Sequence, residues 1–123
     1  FGNNTFVAVG QSGKIVRSTD NGTSWDNATN INRTHLNSVT FGNNTFVAVG
    51  FSGRILRSID DGDSFAVISS PTSVKLNSIS FGNNTFVVVG DSGEIVRSTD
   101  NGSSWSSVTS PVTTHLYGVT FSE

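Results

Sequence analysis

The sequence predicts an all-β fold of the propeller type, on two observations. One ten-residue string opens the chain at 1–10 and returns at 41–50 as FGNNTFVAVG, then at 81–90 as FGNNTFVVVG, so one unit recurs at 1–40, 41–80 and 81–120. Within each unit, short β-branched and aromatic runs are separated by Gly, Asn and Asp turns, the pattern of strands and hairpins. A 40-residue period carrying four short strands matches one propeller blade. Leucine-rich and ankyrin repeats are excluded, because their helices and signatures are absent; a parallel β-helix stays open as the alternative, although its coils are usually shorter and lack this hairpin chemistry.

The four strands of a unit follow in order. Thr5–Val9 is β-branched, bounded by Gly2 and Gly10, and apolar at every position after Thr5. A sheet with one wet face would alternate polar and apolar residues, so this strand is expected to be covered on both faces, as in the middle of a stacked blade. Lys14–Thr19 is the second strand, after a turn at Ser12-Gly13. Ser24–Thr29 is the third. His35–Phe41 is the fourth, and it runs into the Gly42-Asn43-Asn44 turn that opens the next unit. Each is expected again at +40.

Composition narrows the function. The formal charge is -2 and the five Arg are scattered, so a phosphate backbone finds no basic patch and no nucleic-acid partner is expected. There is no Cys, hence no disulfide and no thiolate site. No apolar run is long enough for a membrane helix, and no targeting segment is recognised in these residues. With Phe at position 1 and no Met anywhere, the chain reads as a fragment, a processed product or an engineered repeat array. Seven Asn-x-Ser/Thr sequons begin at Asn3, Asn21, Asn27, Asn32, Asn43, Asn83 and Asn101. They matter only on a eukaryotic secretory route.

Each unit also carries one compact turn: Ser18-Thr19-Asp20-Asn21-Gly22-Thr23-Ser24-Trp25, Ser58-Ile59-Asp60-Asp61-Gly62-Asp63-Ser64-Phe65, and Ser98-Thr99-Asp100-Asn101-Gly102-Ser103-Ser104-Trp105. Asp20, Asp60 and Asp100 can accept bonds from N–H groups of their own turn. Gly22, Gly62 and Gly102 can supply a positive φ. Trp25, Phe65 and Trp105 are expected to fold back as apolar plugs. A calcium loop would need several more oxygen ligands, which the first and third copies lack, so a structural role is expected and no metal or cofactor. The pattern resembles the Asp-box of sialidase-type (BNR) repeats, and the surrounding sequence is similar to photosystem II assembly-factor-like (Ycf48-like) bacterial propellers. The resemblance covers essentially the whole chain, with Phe65 in place of the usual Trp.

Three blades do not close a ring. The inner strand of each blade is expected at His35–Phe41, Lys75–Phe81 and His115–Phe121, which leaves the first blade without one and the last copy without a blade. A two-fold homodimer resolves this: residues 115–121 of each chain complete the first blade of its partner, giving six blades and no free edge. Six is also the number that the resemblance to sialidase-like propellers implies.

A ligand, by the same resemblance, would use the face carrying the Ser12-Gly13 turn and the long connection. The candidates there are Gln11, Phe51 and Asp91 in the short turn, with Arg33, His35, Lys75, His115 and Tyr117 in the connection or inner strand. Lys75 interrupts a His ring, and zinc needs three or four ligands, so the histidines are expected to be polar strand-entry groups. Arg17, Arg57 and Arg97 are expected to lie on the sheet surface or to pair between blades. Sialidases use an arginine cluster, a Tyr–Glu pair and an acidic residue. Here Tyr117 is the one Tyr, and Glu94 and Glu123 are the two Glu. The expected function is a structural, self-assembling scaffold without catalytic activity. The alternative is a module that binds a glycan or a protein on its channel face.

Overall fold

The computed structural model describes residues 1–123 and contains no α-helix. Eleven strands form three antiparallel sheets. The first holds β1 (Phe6–Val9), β2 (Ile15–Ser18) and β3 (Asp26–Asn27). The second holds β4 (Leu36–Gly42), β5 (Thr45–Gly50), β6 (Ile55–Ser58) and β7 (Ala66–Ile68). The third holds β8 (Leu76–Gly82), β9 (Thr85–Gly90), β10 (Ile95–Ser98) and β11 (Ser106–Val108). In each sheet the strands lie in chain order, so each is a meander. The second and third sheets are complete four-stranded blades, and the first lacks the innermost strand.

The turns explain the repeated dipeptides. Asn43 and Asn44 both take positive φ, 49° and 58°, between the paired residues Gly42 and Thr45. A tight two-residue hairpin of that twist requires this conformation at both central positions, and Asn tolerates it best after Gly. The Ser12-Gly13 turn is a short 3-10 turn, Gln11–Gly13, repeated at Phe51–Gly53 and Asp91–Gly93.

The blades stack face to face. One apolar cluster joins Ile15 of the first sheet to Leu36, Phe46, Ala48, Leu56 and Phe65 of the second. Another joins Val47, Val49 and Ile55 of the second sheet to Leu76, Ile79, Phe86, Val88 and Val96 of the third. Every residue of β5 is buried, which is the two-sided coverage expected of a middle strand. Glycine permits the closest approach: the Phe41 ring lies over Gly2, Phe81 over Gly42 and Phe121 over Gly82, where any Cβ would collide with the ring.

The strands differ from expectation in three ways. Most ends move by a residue, and Thr5 joins Gly2 in an isolated bridge instead of β1. The third strand shrinks from Ser24–Thr29 to Asp26–Asn27, because Ser24 is committed to the preceding turn by two bonds to Asp20. His115–Phe121 forms no strand at all. Its position is nonetheless that of an inner strand: Leu116 N–H donates to Gly90 O at 3.0 Å, as Leu36 N–H donates to Gly10 O at 3.0 Å. What it lacks is a neighbouring strand to complete a ladder.

Candidate functional site

Two ends of the blades carry the polar chemistry. At one end stand the Asn-Asn hairpins and the aspartate turns. Asp20 Oδ1 accepts from the Ser18 hydroxyl at 2.8 Å and from Ser24 N–H at 2.9 Å, while Oδ2 accepts from the Ser24 hydroxyl at 2.5 Å. Asp60 and Asp100 repeat the pattern with Ser58 and Ser64, and with Ser98 and Ser104. Both carboxylate oxygens are thus engaged inside the turn. The Ser24 hydroxyl, then its N–H and the Ser18 hydroxyl, hold Asp20 at a pKa of about 2, and Ser104 and Ser98 do the same for Asp100. For Asp60, burial pushes upward, but the bonds from Ser64 and Ser58 outweigh it and the net shift is downward. No group of three or more His, Asp or Glu side chains is placed to hold a metal.

Gly22, Gly62 and Gly102 all adopt positive φ, between 81° and 84°. Each of the last two rests on the preceding blade. A Cβ on Gly62 would lie 2.9 Å from Val7 Cγ2, and one on Gly102 would lie 3.2 Å from Val47 Cγ2. The aromatic plugs divide in the same way. Phe65 is buried between the first and second sheets, and Trp105 packs on the core between the second and third. Trp25 departs from the expected plug: it is 44% exposed, although its indole N–H donates to Gly22 O at 3.0 Å, as that of Trp105 does to Gly102 O at 2.9 Å. No blade covers that side of the first sheet.

Two of the three repeat arginines pair between blades. Arg57 Nε–H donates to Asn101 O at 2.9 Å, and Asn101 Nδ2–H donates to Thr45 Oγ1 at 2.8 Å. Arg17 reaches Asp63 Oδ1 at 3.4 Å instead; Asp61 stands where the later copy has Asn101, and Asp61 Oδ1 accepts from Asn3 at 2.8 Å. Arg97, on the outer face of the third sheet, is exposed and makes no bond.

At the other end the ligand-face candidates separate into two groups. The His35 ring meets the Phe51 ring edge-on with centroids 5.1 Å apart, and Lys75 Nζ lies 5.2 Å from the Phe51 centroid. His115 Nδ1 lies 3.6 Å from Asp91, with Tyr117 at 6.2 Å between ring centroids. Both histidines also cap a 3-10 turn: Ser12 N–H donates to His35 Nδ1 at 2.7 Å, and Ser92 N–H to His115 Nδ1 at 3.0 Å. Gln11 joins neither group. Arg33 borders an open groove of about 500 Å³ beside Ser12, Lys14 and Asn30.

Sequence reasoning missed Asn37 and Asn77. Each lies at a bulge of its inner strand and reaches the next one: Asn37 Nδ2–H donates to Leu76 O at 2.9 Å, and Asn77 Nδ2–H to Leu116 O at 2.8 Å. The available signal was the recurrence of Leu-Asn-Ser at 36–38 and 76–78, which gives way to Leu-Tyr-Gly at 116–118.

These blades define a β-propeller fold, and solved structures agree. No family model matches the chain, and no curated protein matches it. Among solved structures, YCF48 bound to a D1 peptide aligns with a TM-score of 0.72 at 24% identity, over 87% of this chain and 36% of that one. YCF48 from Cyanidioschyzon merolae aligns with a TM-score of 0.65 at 21% identity, over 89% and 37%. An ancestral GH74 enzyme aligns with a TM-score of 0.63 at 22% identity, over 86% and 18%. The chain therefore spans little more than a third of the YCF48 structures and less than a fifth of the GH74 enzyme.

Proposed function

We propose that this chain is a non-catalytic, self-assembling propeller scaffold of Asp-box repeats, two copies of which close a six-bladed ring by exchanging residues 115–121. The observation that carries the reading is the posture of that segment. It is held on the third sheet by Leu116, Asn77 and the Phe121–Gly82 contact, as the inner strands β4 and β8 are held on the sheets before them. The strand it would complete is missing from the first sheet, where the inner edge of β1 is open. The internal ladder fixes the register. Val39 stands opposite Ala48 and Thr40 opposite Val47, so Val119 of one copy pairs with Ala8 of the other, and Thr120 with Val7.

The register also sets a limit. Phe1 packs on Phe6 at 4.5 Å between centroids, as Phe41 packs on Phe46 at 4.8 Å. Phe121 of the second copy would take the same place, so closure requires Phe1 or Phe121 to withdraw. Sedimentation equilibrium at micromolar concentration should return twice the 13.0 kDa chain mass. A chain lacking Tyr117–Glu123 should be monomeric or aggregated. A compact wild-type monomer overturns the assembly, and a truncated chain that still forms the dimer overturns the exchange.

The absence of catalysis rests on the placement of the acids. The Glu94 carboxylate is bonded to the Ser107 hydroxyl at 2.7 Å, and the Asp-box carboxylates are consumed by their own turns. Glycoside hydrolysis needs two carboxyl groups at a controlled separation across a sugar, and these four are held in their own turns or on their own sheet. Turnover of a fluorogenic sialoside or glycoside, lost on Tyr117→Phe, would contradict this. A second reading, protein binding on the channel face, is favoured by the solved YCF48 structure with a peptide bound. It predicts saturable peptide binding sensitive to Phe51→Ala.

A further inference from the structure

We infer that the outer face of the third sheet, formed by Thr85, Val87 and Arg97, is the docking surface for the Asn21-Gly22 turn of a second copy. The inference rests on the self-assembly reading and adds a contact beside the exchanged segment, whose Val119, Thr120 and Phe121 share a cavity with Thr85 and Val87.

The chain already contains the same joint. Between the second and third sheets, three contacts make the joint. Val47 Cγ2 lies 3.2 Å from a Cβ built on Gly102, Arg57 Nε–H donates to Asn101 O at 2.9 Å, and Asn101 Nδ2–H donates to Thr45 Oγ1 at 2.8 Å. Forty residues on, Val87, Arg97 and Thr85 stand at the positions of Val47, Arg57 and Thr45. Val47 and Thr45 are fully buried by the turn that covers them, whereas Val87 and Thr85 are only half-buried and Arg97 is exposed. The socket is built and empty of a turn.

The first sheet presents the matching plug. Asn21 and Gly22 carry the same residues and backbone as Asn101 and Gly102, with φ of 61° and 84° against 64° and 82°. The second copy of the turn could not serve as well. There Asp61 replaces the Asn and cannot donate to Thr5 as Asn101 donates to Thr45, and Arg17 leaves its Nε buried without a partner. The unpaired plug is thus of the type that fits Arg57, and the unpaired socket offers that arginine again as Arg97. Docking would also cover the exposed Trp25, since Trp105 lies beside Ser70 and Pro71 of the preceding blade, and Ser110 and Pro111 hold those positions next to Val108. Because plug and socket lie on opposite ends of the chain, two copies related by a two-fold axis form the joint twice and leave neither exposed.

The absence of Cys makes a cross-linking test specific. At the internal joint a Cβ built on Gly102 lies 3.2 Å from Val47 Cγ2, which is one bond from Val47 Cβ, so the two Cβ atoms lie within about 4.7 Å, close to the roughly 3.5–4.5 Å that a disulfide needs. Val47→Cys with Gly102→Cys should close within one chain and run as a compact monomer on a non-reducing denaturing gel. Val87→Cys with Gly22→Cys should give covalent dimer from the same oxidation. A dimer by sedimentation that stays uncrosslinked, while the internal pair closes, overturns the docking surface and leaves the self-assembly reading standing. A monomer by sedimentation overturns both. Arg97→Ala gives a second readout without touching a positive-φ residue. It should raise the dimer dissociation constant on the order of tenfold or more, the usual scale for losing a charged hydrogen bond. An unchanged constant overturns the assignment.

Discussion

Residues 5–10 and 45–50 are the same six amino acids, TFVAVG, and they meet opposite environments. Phe46 is 1% exposed and Phe6 is 38% exposed. Val47, Ala48 and Val49 are fully buried, while Val7 and Val9 are half-covered. Both copies form the same hairpin with the same register, Phe6 opposite Ser18 and Phe46 opposite Ser58. The difference lies in the neighbours: β5 has an inner strand beside it and blades on both faces, and β1 has neither. Local sequence makes the strand, and stacking supplies its stability, as expected when each repeat cannot bury its own faces.

The largest break in this comparison is Phe46→Ala. It should cost about 3–5 kcal/mol in urea unfolding, the range for emptying a buried aromatic site. Phe6→Ala should cost about 1 kcal/mol when the chain is dilute, a typical value for a partly exposed site. If two copies close a ring, its cost should climb toward that of Phe46→Ala as concentration rises. A Phe6→Ala cost that is equally large at every dilution would mean that β1 is covered within a single chain.

Next come the glycines. Gly62→Ala meets both backbone strain at a φ of 81° and the Val7 methyl, and should cost about 2 kcal/mol. Gly22→Ala meets the same strain with its nearest atom, in Trp25, at 3.9 Å, and should cost about 1 kcal/mol in the monomer. Equal losses would show that the turn's own geometry, and not the joint between blades, sets the need for Gly.

A smaller effect appears in acid. The aspartate turns hold their carboxyls below the usual 3.8, with Asp20 and Asp100 at about 2. A depressed folded-state pKa stabilises the fold above the unfolded value, and this stabilisation is lost as pH falls from about 4 toward 2. Thermal melts between pH 5 and 2 should show that slope, and Asp100→Ala should flatten part of it. The smallest expected difference concerns calcium. Asp100→Ala should lower the melting temperature by the same amount in calcium and in chelator, because both oxygens are taken by Ser98 and Ser104. A calcium-dependent gain in the wild-type chain, lost in the variant, would assign the turn to metal binding.

Much of the site was legible because its chemistry is local. Asp20 bonds residues two and four positions away, and the Asn43-Asn44 turn closes over its own dipeptide, so the spacing alone discloses both. Asn37 and Asn77 were not legible in this way. Their bonds join residues 39 apart, which only the stacking of inner strands brings together. The same holds for Arg17 and Arg57. An arginine at fixed spacing suggests pairing between blades, but the choice of Asp63 for one and the Asn101 carbonyl for the other depends on what the neighbouring turn presents. The missing strand at 115–121 has a similar cause: Leu116 to Phe121 carry an inner-strand sequence, yet a ladder needs a second strand, and no residue of the same sheet supplies it.

By itself the sequence determined the period, the four-strand unit, the hairpin turns and the conformation of the aspartate turns, because each depends on φ/ψ preferences and hydrogen bonds between residues a few positions apart. Only the tertiary structure decided which copy of an identical strand is buried, which aromatic plug is covered and which arginine is left without a partner. Those outcomes depend on apolar area removed from water and on bonds made between blades, and such terms exist only once the sheets are stacked.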